Sequence, residues 1–295
     1  MTASPVEGPA TVQVEVQMGR VEVVAGDRTD VAVAVTPSRP NRAGDRRAAE
    51  ATRIERVGER IVVKTPFRMR MLGPGDSVEV RVEVPAGTDL TVTVSYGSVQ
   101  TAGKLGAVRA DVSYGDLDVQ AAQRFDLTGG HGDYRVGEVD GDAGIGIKSG
   151  SVHLSRVGGR LRVTGADGRI EIDALDGPGE LSTSSGAIEV GTAASDLTVR
   201  AAYGGITVRE AVRGAVRIDG SYGNVDVGVR GGTAVWLDVG SQHGVVRTDL
   251  AADAGPRDGE DTLELRVRTG YGSITVHRAV GRDRRRPGRD PSGST

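Results

Sequence analysis

Five of the six tyrosines and two of the four histidines of this chain occupy one recurring place, immediately before a glycine. They are Tyr96, Tyr114, His131, Tyr203, Tyr222, His243 and Tyr271, with Ser149, Asp167 and Ser185 holding the same place in the middle of the series. Rings repeated at one structural position offer a stacking surface to sugar rings or to a partner protein. The plainer reading is that an amphipathic ring covers a corner of backbone and gives its hydroxyl or nitrogen to water. These seven residues form the candidate binding ladder, and both readings of it stand at this stage.

Other chemistry is sparse. The chain has no cysteine, which excludes a disulfide framework, a thiolate metal site and a cysteine nucleophile. His131, His153, His243 and His277 are too far apart for a local ligand motif, and no serine sits in a strand-to-helix elbow. No catalytic residue, metal site or cofactor is therefore expected. Asp116 and Asp133 stack as like charges, an arrangement that can share a cation but is ordinarily only solvated. Asp118 beside Arg135, His153 beside Glu171, and Asp226 beside Arg247 are expected to form ion pairs across neighbouring strands. Gly129-Gly130-His131-Gly132-Asp133 brushes against a calcium-binding nonapeptide, but its aspartate arrives one position early and no neighbour restates the double glycine. Gly141–Ser149 imitates a phosphate loop, yet Ile147 parts the last glycine from Lys148 and no helix follows.

The elements that position these residues follow from the glycines of the recurring phrase. Gly97, Gly115, Gly132, Gly150, Gly168, Gly186, Gly204, Gly223, Gly244 and Gly272 are spaced by 17–19 residues up to Gly223, then by 21 and 28. Apolar residues recur two and four positions after each glycine, as in Ile170 and Ile172, Ile188 and Val190, Ile206 and Val208. They recur again at seven, five and three positions before it, as in Leu90, Val92 and Val94 or Leu197, Val199 and Ala201. Alternation of this kind marks strands with one buried face, and a fixed period means that each repeat buries that face only against its neighbours. Each repeat is read as strand, glycine corner, strand and a second corner, one coil of a β-solenoid of either hand. The fold class is all-β: a single-domain β-solenoid of about ten 18-residue coils, roughly 45 Å long at ~4.8 Å per coil, with an N-terminal β cap.

Val12, Val14, Val16, Gly19, Val21 and Val23 form a further copy at the same offsets. Residues 10–85 are read as that first coil plus the cap, with strand-like runs at Val31–Val35, Arg60–Lys64 and Val78–Val84. Terminal repeats need such covers because a bare coil end is an open sheet edge. Residues 1–9 are expected to be disordered, residues 86–280 to be repeats with a mobile acidic loop at 251–261, and residues 281–295 to be a disordered basic tail. Constant coil length from Gly97 to Gly223 leaves no long loops to wall a cleft, which counts against a carbohydrate-cleaving β-helix.

A formal charge of −3 suggests neither nucleic acid nor an acidic membrane as an obligate partner. The arginines of the tail, Arg282, Arg284, Arg285, Arg286 and Arg289, have no aromatic platform beside them. No run of ~20 apolar residues provides a transmembrane segment, and the first residues lack the basic start and apolar core of a leader, so a cytoplasmic address is expected, with export by a leaderless route left open. Three lysines, Lys64, Lys104 and Lys148, among 37 basic residues suggest a high-GC bacterial gene.

The Gly19-Arg20-Val21-Glu22-Val23 unit, the Val84-Pro85-Ala86-Gly87 lead into the repeats and the reiterated Tyr-Gly-x-Val-x-Val phrases through Val276 resemble a widespread bacterial family of β-strand-repeat proteins labelled putative adhesins, a domain of unknown function. The resemblance covers residues 10–277 and implies a β-solenoid without supplying any catalytic residue. The chain departs from an adhesin in showing neither export signal nor anchor. Its likeness to bactofilins, cytosolic β-helical polymer formers, is architectural. The functional expectation is a non-enzymatic scaffold or protein-interaction module. Its partner is an unidentified protein or a second copy joined through the C-terminal coil, unless the 251–261 loop folds over that edge. The alternative is a carbohydrate-binding or carbohydrate-active β-helix, with a glycan on the tyrosine-lined edge.

Overall fold

Beyond residue 86, the alternation of Val, Ile and Leu favours strands with one buried face, and strands are the only regular elements among the described residues there. The structure, a computed structural model, describes residues 2–5, 10–58, 60–66, 75–250 and 259–279. The N-terminal part contains β1 (Thr2–Pro5), β2 (Thr11–Gly26), β3 (Asp30–Pro37), α1 (Ala43–Ala51), β4 (Arg53–Val57), β5 (Arg60–Lys64) and β6 (Val78–Pro85). The coils begin with β7 (Asp89–Val139), a continuous extended path over several turns of the solenoid, and β8 (Ala143–Val157). They continue through β9 (Leu161–Asp167), β10 (Ile170–Leu175), β11 (Gly179–Ser185), β12 (Ile188–Ala193), β13 (Leu197–Tyr203) and β14 (Ile206–Ala211). The C-terminal part is β15 (Gly214–Tyr222), β16 (Val225–Val229), β17 (Ala234–His243), β18 (Val246–Thr248), β19 (Thr262–Tyr271) and β20 (Ile274–Arg278).

Each strand pairs in parallel with its counterpart one coil away. Ile170 faces Ile188 and Ile188 faces Ile206, while Ile172, Val190 and Val208 form the next file. All six are at most 1 % exposed, so the core is a set of aliphatic ladders running along the stack. Tyr134 is the exception in these files. Its ring is fully buried, and it fits because a Cβ at Gly129 would lie 2.6 Å from it.

The glycine column has a second cause besides backbone conformation. At Gly168 φ is +138°, and a Cβ there would sit 1.6 Å from the carbonyl oxygen of Gly150 in the coil before. The corners stack so closely that no side chain fits between them.

At both ends the coils stack out of chain order. The first half of β2 lies between β5 and β7, and its second half between β6 and β7. The insertion therefore returns as a layer outside the first coil. Its free edges are met by antiparallel strands, β4 on β5 and β3 on β6. At the other end β19 pairs with β15 on one side and β17 on the other, and β20 likewise separates β16 from β18. The coil of Tyr271 is thus second from the end, and the outermost layer is β17–β18. This corrects the expectation that the last coil in sequence, ending at Val276-His277, is the open one. The spacings of 21 and 28 around Gly244 are the extra chain needed to skip a layer and return.

Two further expectations change in the cap. Residues 43–51 form a helix, favoured by their Ala, Arg and Glu content and by Asp45 in the first turn. Thr52 ends it by turning extended, its hydroxyl donating to the Ala48 carbonyl at 2.8 Å. Of the N-terminal residues expected to be disordered, Thr2–Pro5 pair antiparallel with Asp30–Val33, which would otherwise be an open edge. The loop at 251–258 and the basic tail lie outside the described residues.

Candidate functional site

The corner before each phrase glycine places the seven ladder residues in one column, and the structure divides that column into two stacks. Tyr96, Tyr114 and His131 lie face to face at centroid separations of 5.0 and 5.1 Å. The second stack runs Tyr203, Tyr222, Tyr271 and His243 at 5.0, 4.9 and 4.5 Å. His243 follows Tyr271 in space because of the layer exchange. Ser149, Asp167 and Ser185 continue the column between the stacks, in register with the rings on either side.

Stacking decides what these rings can offer. The tyrosines are about half exposed, but their faces are covered by one another, so solvent meets mainly their edges and hydroxyls. A sugar ring packs on a face. Beside the gap, His131 turns its second face toward Ser149 and Tyr203 toward Ser185, and these faces have no ring neighbour. A shallow groove of about 630 Å³ runs beside Tyr222 and Tyr271, floored by Gly220, Gly240 and Gly270 with Arg268 at its side.

The polar corners are occupied with holding coils together. Asp142 accepts the Arg160 N–H at 2.8 Å and Asp196 the Ala215 N–H at 2.8 Å, each from the next coil. Asp116 does the same for Asp133 at 3.0 Å, and Asp133 in turn accepts from the Ser151 hydroxyl at 2.5 Å. That column of carboxylates accepts hydrogen bonds from the coil that follows. Residues 143–149 of the phosphate-loop imitation are part of β8.

Of the expected ion pairs, His153 lies 3.8 Å from Glu171, whereas Asp226 and Arg247 are separated by the intervening β20. Asp226 instead meets His277 Nε2 at 3.2 Å, while Nδ1 of the same ring donates to the Arg278 carbonyl at 2.9 Å. That backbone bond first, and Asp226 and Asp249 after it, raise the His277 pKa above the ordinary imidazole value. Arg230 makes paired hydrogen bonds to Glu210 at 2.8 and 3.0 Å and holds that carboxyl below its usual range.

The sequence reading missed two features. Asp173 joins His153 and Glu171 on one outer face, with Nε2 of His153 3.6 Å from its carboxylate. The alternation of β10, which sends residues 171 and 173 the same way, was the available signal. The other is the open end. Val235, Leu237 and Val239 on β17 are only partly buried, Trp236, Val245 and Val246 are exposed, and a recess of about 1050 Å³ opens beside them. The Arg266 guanidinium stands 5.4 Å from the centre of the Trp236 ring.

The chain belongs to the Toastrack DUF4097 family. The family pattern matches residues 11–281. No curated protein matches the chain. Among solved structures, this Toastrack chain is similar to a "putative adhesin" from Bacteroides fragilis NCTC 9343, with 12 % identity, 93 % of this chain and 95 % of that one covered, and a TM-score of 0.34. A "putative adhesin" from Parabacteroides merdae ATCC 43184 gives 11 %, 93 %, 94 % and 0.35 in the same order. A "putative lipid binding protein" from Parabacteroides distasonis ATCC 8503 gives 11 %, 93 %, 96 % and 0.36. No helix among the described residues is long and apolar enough to cross a membrane.

Proposed function

We propose that this Toastrack chain is a non-enzymatic scaffold whose free end engages a second copy of itself. The observation that carries the reading is the contrast between its ends. At the N-terminal end antiparallel strands meet the edges of the outer layer. At the other end β17 and β18 are paired on one side only among the described residues, and the inward positions Val235, Leu237 and Val239 stay partly exposed. An edge strand of ten residues with an apolar strip is a template for another strand. At the opposite end β4 is exposed at every residue, whereas the strip of inward apolar positions lies on β17, so the matching surface is the same edge of a second molecule. A two-fold contact of β17 against its copy closes after one pairing and gives a dimer. The non-enzymatic part of the reading is supported by the polar side chains of the corners, which are spent on bonds between coils.

Light scattering on the parent and on a variant carrying Val235→Lys and Leu237→Lys tests this. The expected result is a concentration-dependent dimer for the parent and a monomer with a similar melting temperature for the variant.

A second reading, glycan binding by the ladder, is favoured by the half-exposed rings. The stacking narrows it to the end faces of the two stacks, those of His131 and Tyr203 beside the gap and of Tyr96 and His243 at the outer ends. On a glycan array, binding lost with Tyr203→Ala but kept with Tyr222→Ala would support it, and turnover of a bound glycan would overturn the non-enzymatic reading.

A further inference from the structure

In the middle of the stack, β8 and β10 run side by side with His153 opposite Glu171, and Leu154 and Ile172 both turned into the core. Alternation then turns His153, Glu171 and Asp173 out onto one face. Nδ1 of the imidazole is 3.8 Å from a Glu171 oxygen and Nε2 is 3.6 Å from an Asp173 oxygen. One ligand atom from each of the three residues lies within 4.8 Å of the others. Around a tetrahedral ion with bonds of ~2.0–2.2 Å, ligand atoms stand roughly 3.3–3.6 Å apart. Partly exposed side chains on a rigid sheet cover the difference by small rotations.

The charge around the trio is a second, independent observation. Four carboxylates near the trio in the stack are met by guanidinium groups. Glu189, next to Glu171 in the same file, is held by Arg169 at 3.3 Å and Arg209 at 3.1 Å. Glu180 has Arg162 and Arg200, Asp176 has Arg156, and Glu210 has Arg230. Among the described residues Glu171 and Asp173 have no arginine or lysine within ion-pair distance; His153 is the basic group that meets them, and Arg169, two residues before Glu171, is bound to Glu189. Arg135 stands in register with His153 on the side away from the two carboxylates. Two carboxylates and one imidazole, left without a permanent cation, are a donor set suited to a divalent ion.

We infer that His153, Glu171 and Asp173 form a surface site for a borderline divalent transition-metal ion of the Zn²⁺ class, with water completing its coordination. The imidazole nitrogen selects such an ion over Mg²⁺ and Ca²⁺, which take oxygen ligands. A bound ion would join two adjacent coils at mid-stack, so it should stabilise the fold as any ligand of the native state does.

The test is calorimetric titration of Zn²⁺ into the full chain, with Mg²⁺ as the comparison ion. His153→Ala, Asp173→Asn and His277→Ala serve as variants, each checked for a cooperative melt without metal. The expected result is saturable Zn²⁺ binding near one equivalent, lost in His153→Ala and Asp173→Asn and kept in His277→Ala. Zn²⁺ should also raise the melting temperature of the parent but not that of His153→Ala. In imidazole NMR spectra the His153 resonances should be those that move. Absence of saturable binding, binding undiminished by His153→Ala, or NMR shifts confined to another histidine would each overturn the proposal.

Discussion

Tyr134 carries the least comfortable group in the core. Its hydroxyl is buried with no hydrogen-bond partner, and burial first, then Asp116 and Asp133, push its pKa up to about 12. An unsatisfied buried hydroxyl costs about 1–3 kcal/mol. Tyr134→Phe should therefore raise stability by about 1 kcal/mol in urea unfolding, and a clear loss would mean that the hydroxyl has a partner. His277 gives a second prediction at this scale. Its folded-state pKa is raised, so the stability it contributes is complete below the ordinary imidazole value and is lost as pH rises through the folded one. The melting temperature of the parent should fall across that window more than that of His277→Gln. Parallel pH profiles for the two proteins would contradict the assignment. Neither residue could be understood from sequence alone. Tyr134 sits at an ordinary inward position of the period, and His277 acquires Asp226 only through the exchange of layers.

The regular elements were legible because one short rule repeats. Inward files such as Ile170, Ile188 and Ile206 are set by alternation, and the corners by glycine, so strand, face and register are written in the sequence pattern. Ile188→Asp should unfold the middle of the stack, since an unpaired charge buried there costs several kcal/mol. Glu189→Gln weakens only half-exposed pairs with Arg169 and Arg209 and should cost a few tenths of a kcal/mol. Equal melting shifts for the two would refute the inward assignment. Gly168→Ala, which adds a carbon 1.6 Å from the Gly150 carbonyl oxygen, should cost about 3 kcal/mol or more, well beyond a simple glycine-to-alanine change in a strand. A mild effect in urea unfolding would show that the column can spread. The elements that were not legible lack the period. Helix α1 is nine residues in a stretch punctuated by prolines, too short for a helical pattern to emerge.

On the scale of the whole molecule, both terminal coils are locked between neighbours. β2 is held by β5–β6 and β7, and β19–β20 by β15–β16 and β17–β18, so the first and last coils in sequence are not the outermost coil layers. Hydrogen exchange should therefore be slower in β19 than in β17, although β19 lies nearer the end of the chain. The sequence showed irregular spacing around Gly244 but could not reveal which coil goes where, because all coils share one pattern and pair equally well in either order. That exchange puts the partly exposed Val235, Leu237 and Val239 at the free end, and the scaffold reading rests on them. Sedimentation velocity over a wide concentration range, on the parent and on the Val235→Lys, Leu237→Lys variant, tests that claim most directly. The account predicts a reversible monomer–dimer equilibrium for the parent and a monomer for the variant. A parent that stays monomeric at the highest concentration, or a variant that dimerises as well as the parent, would contradict it.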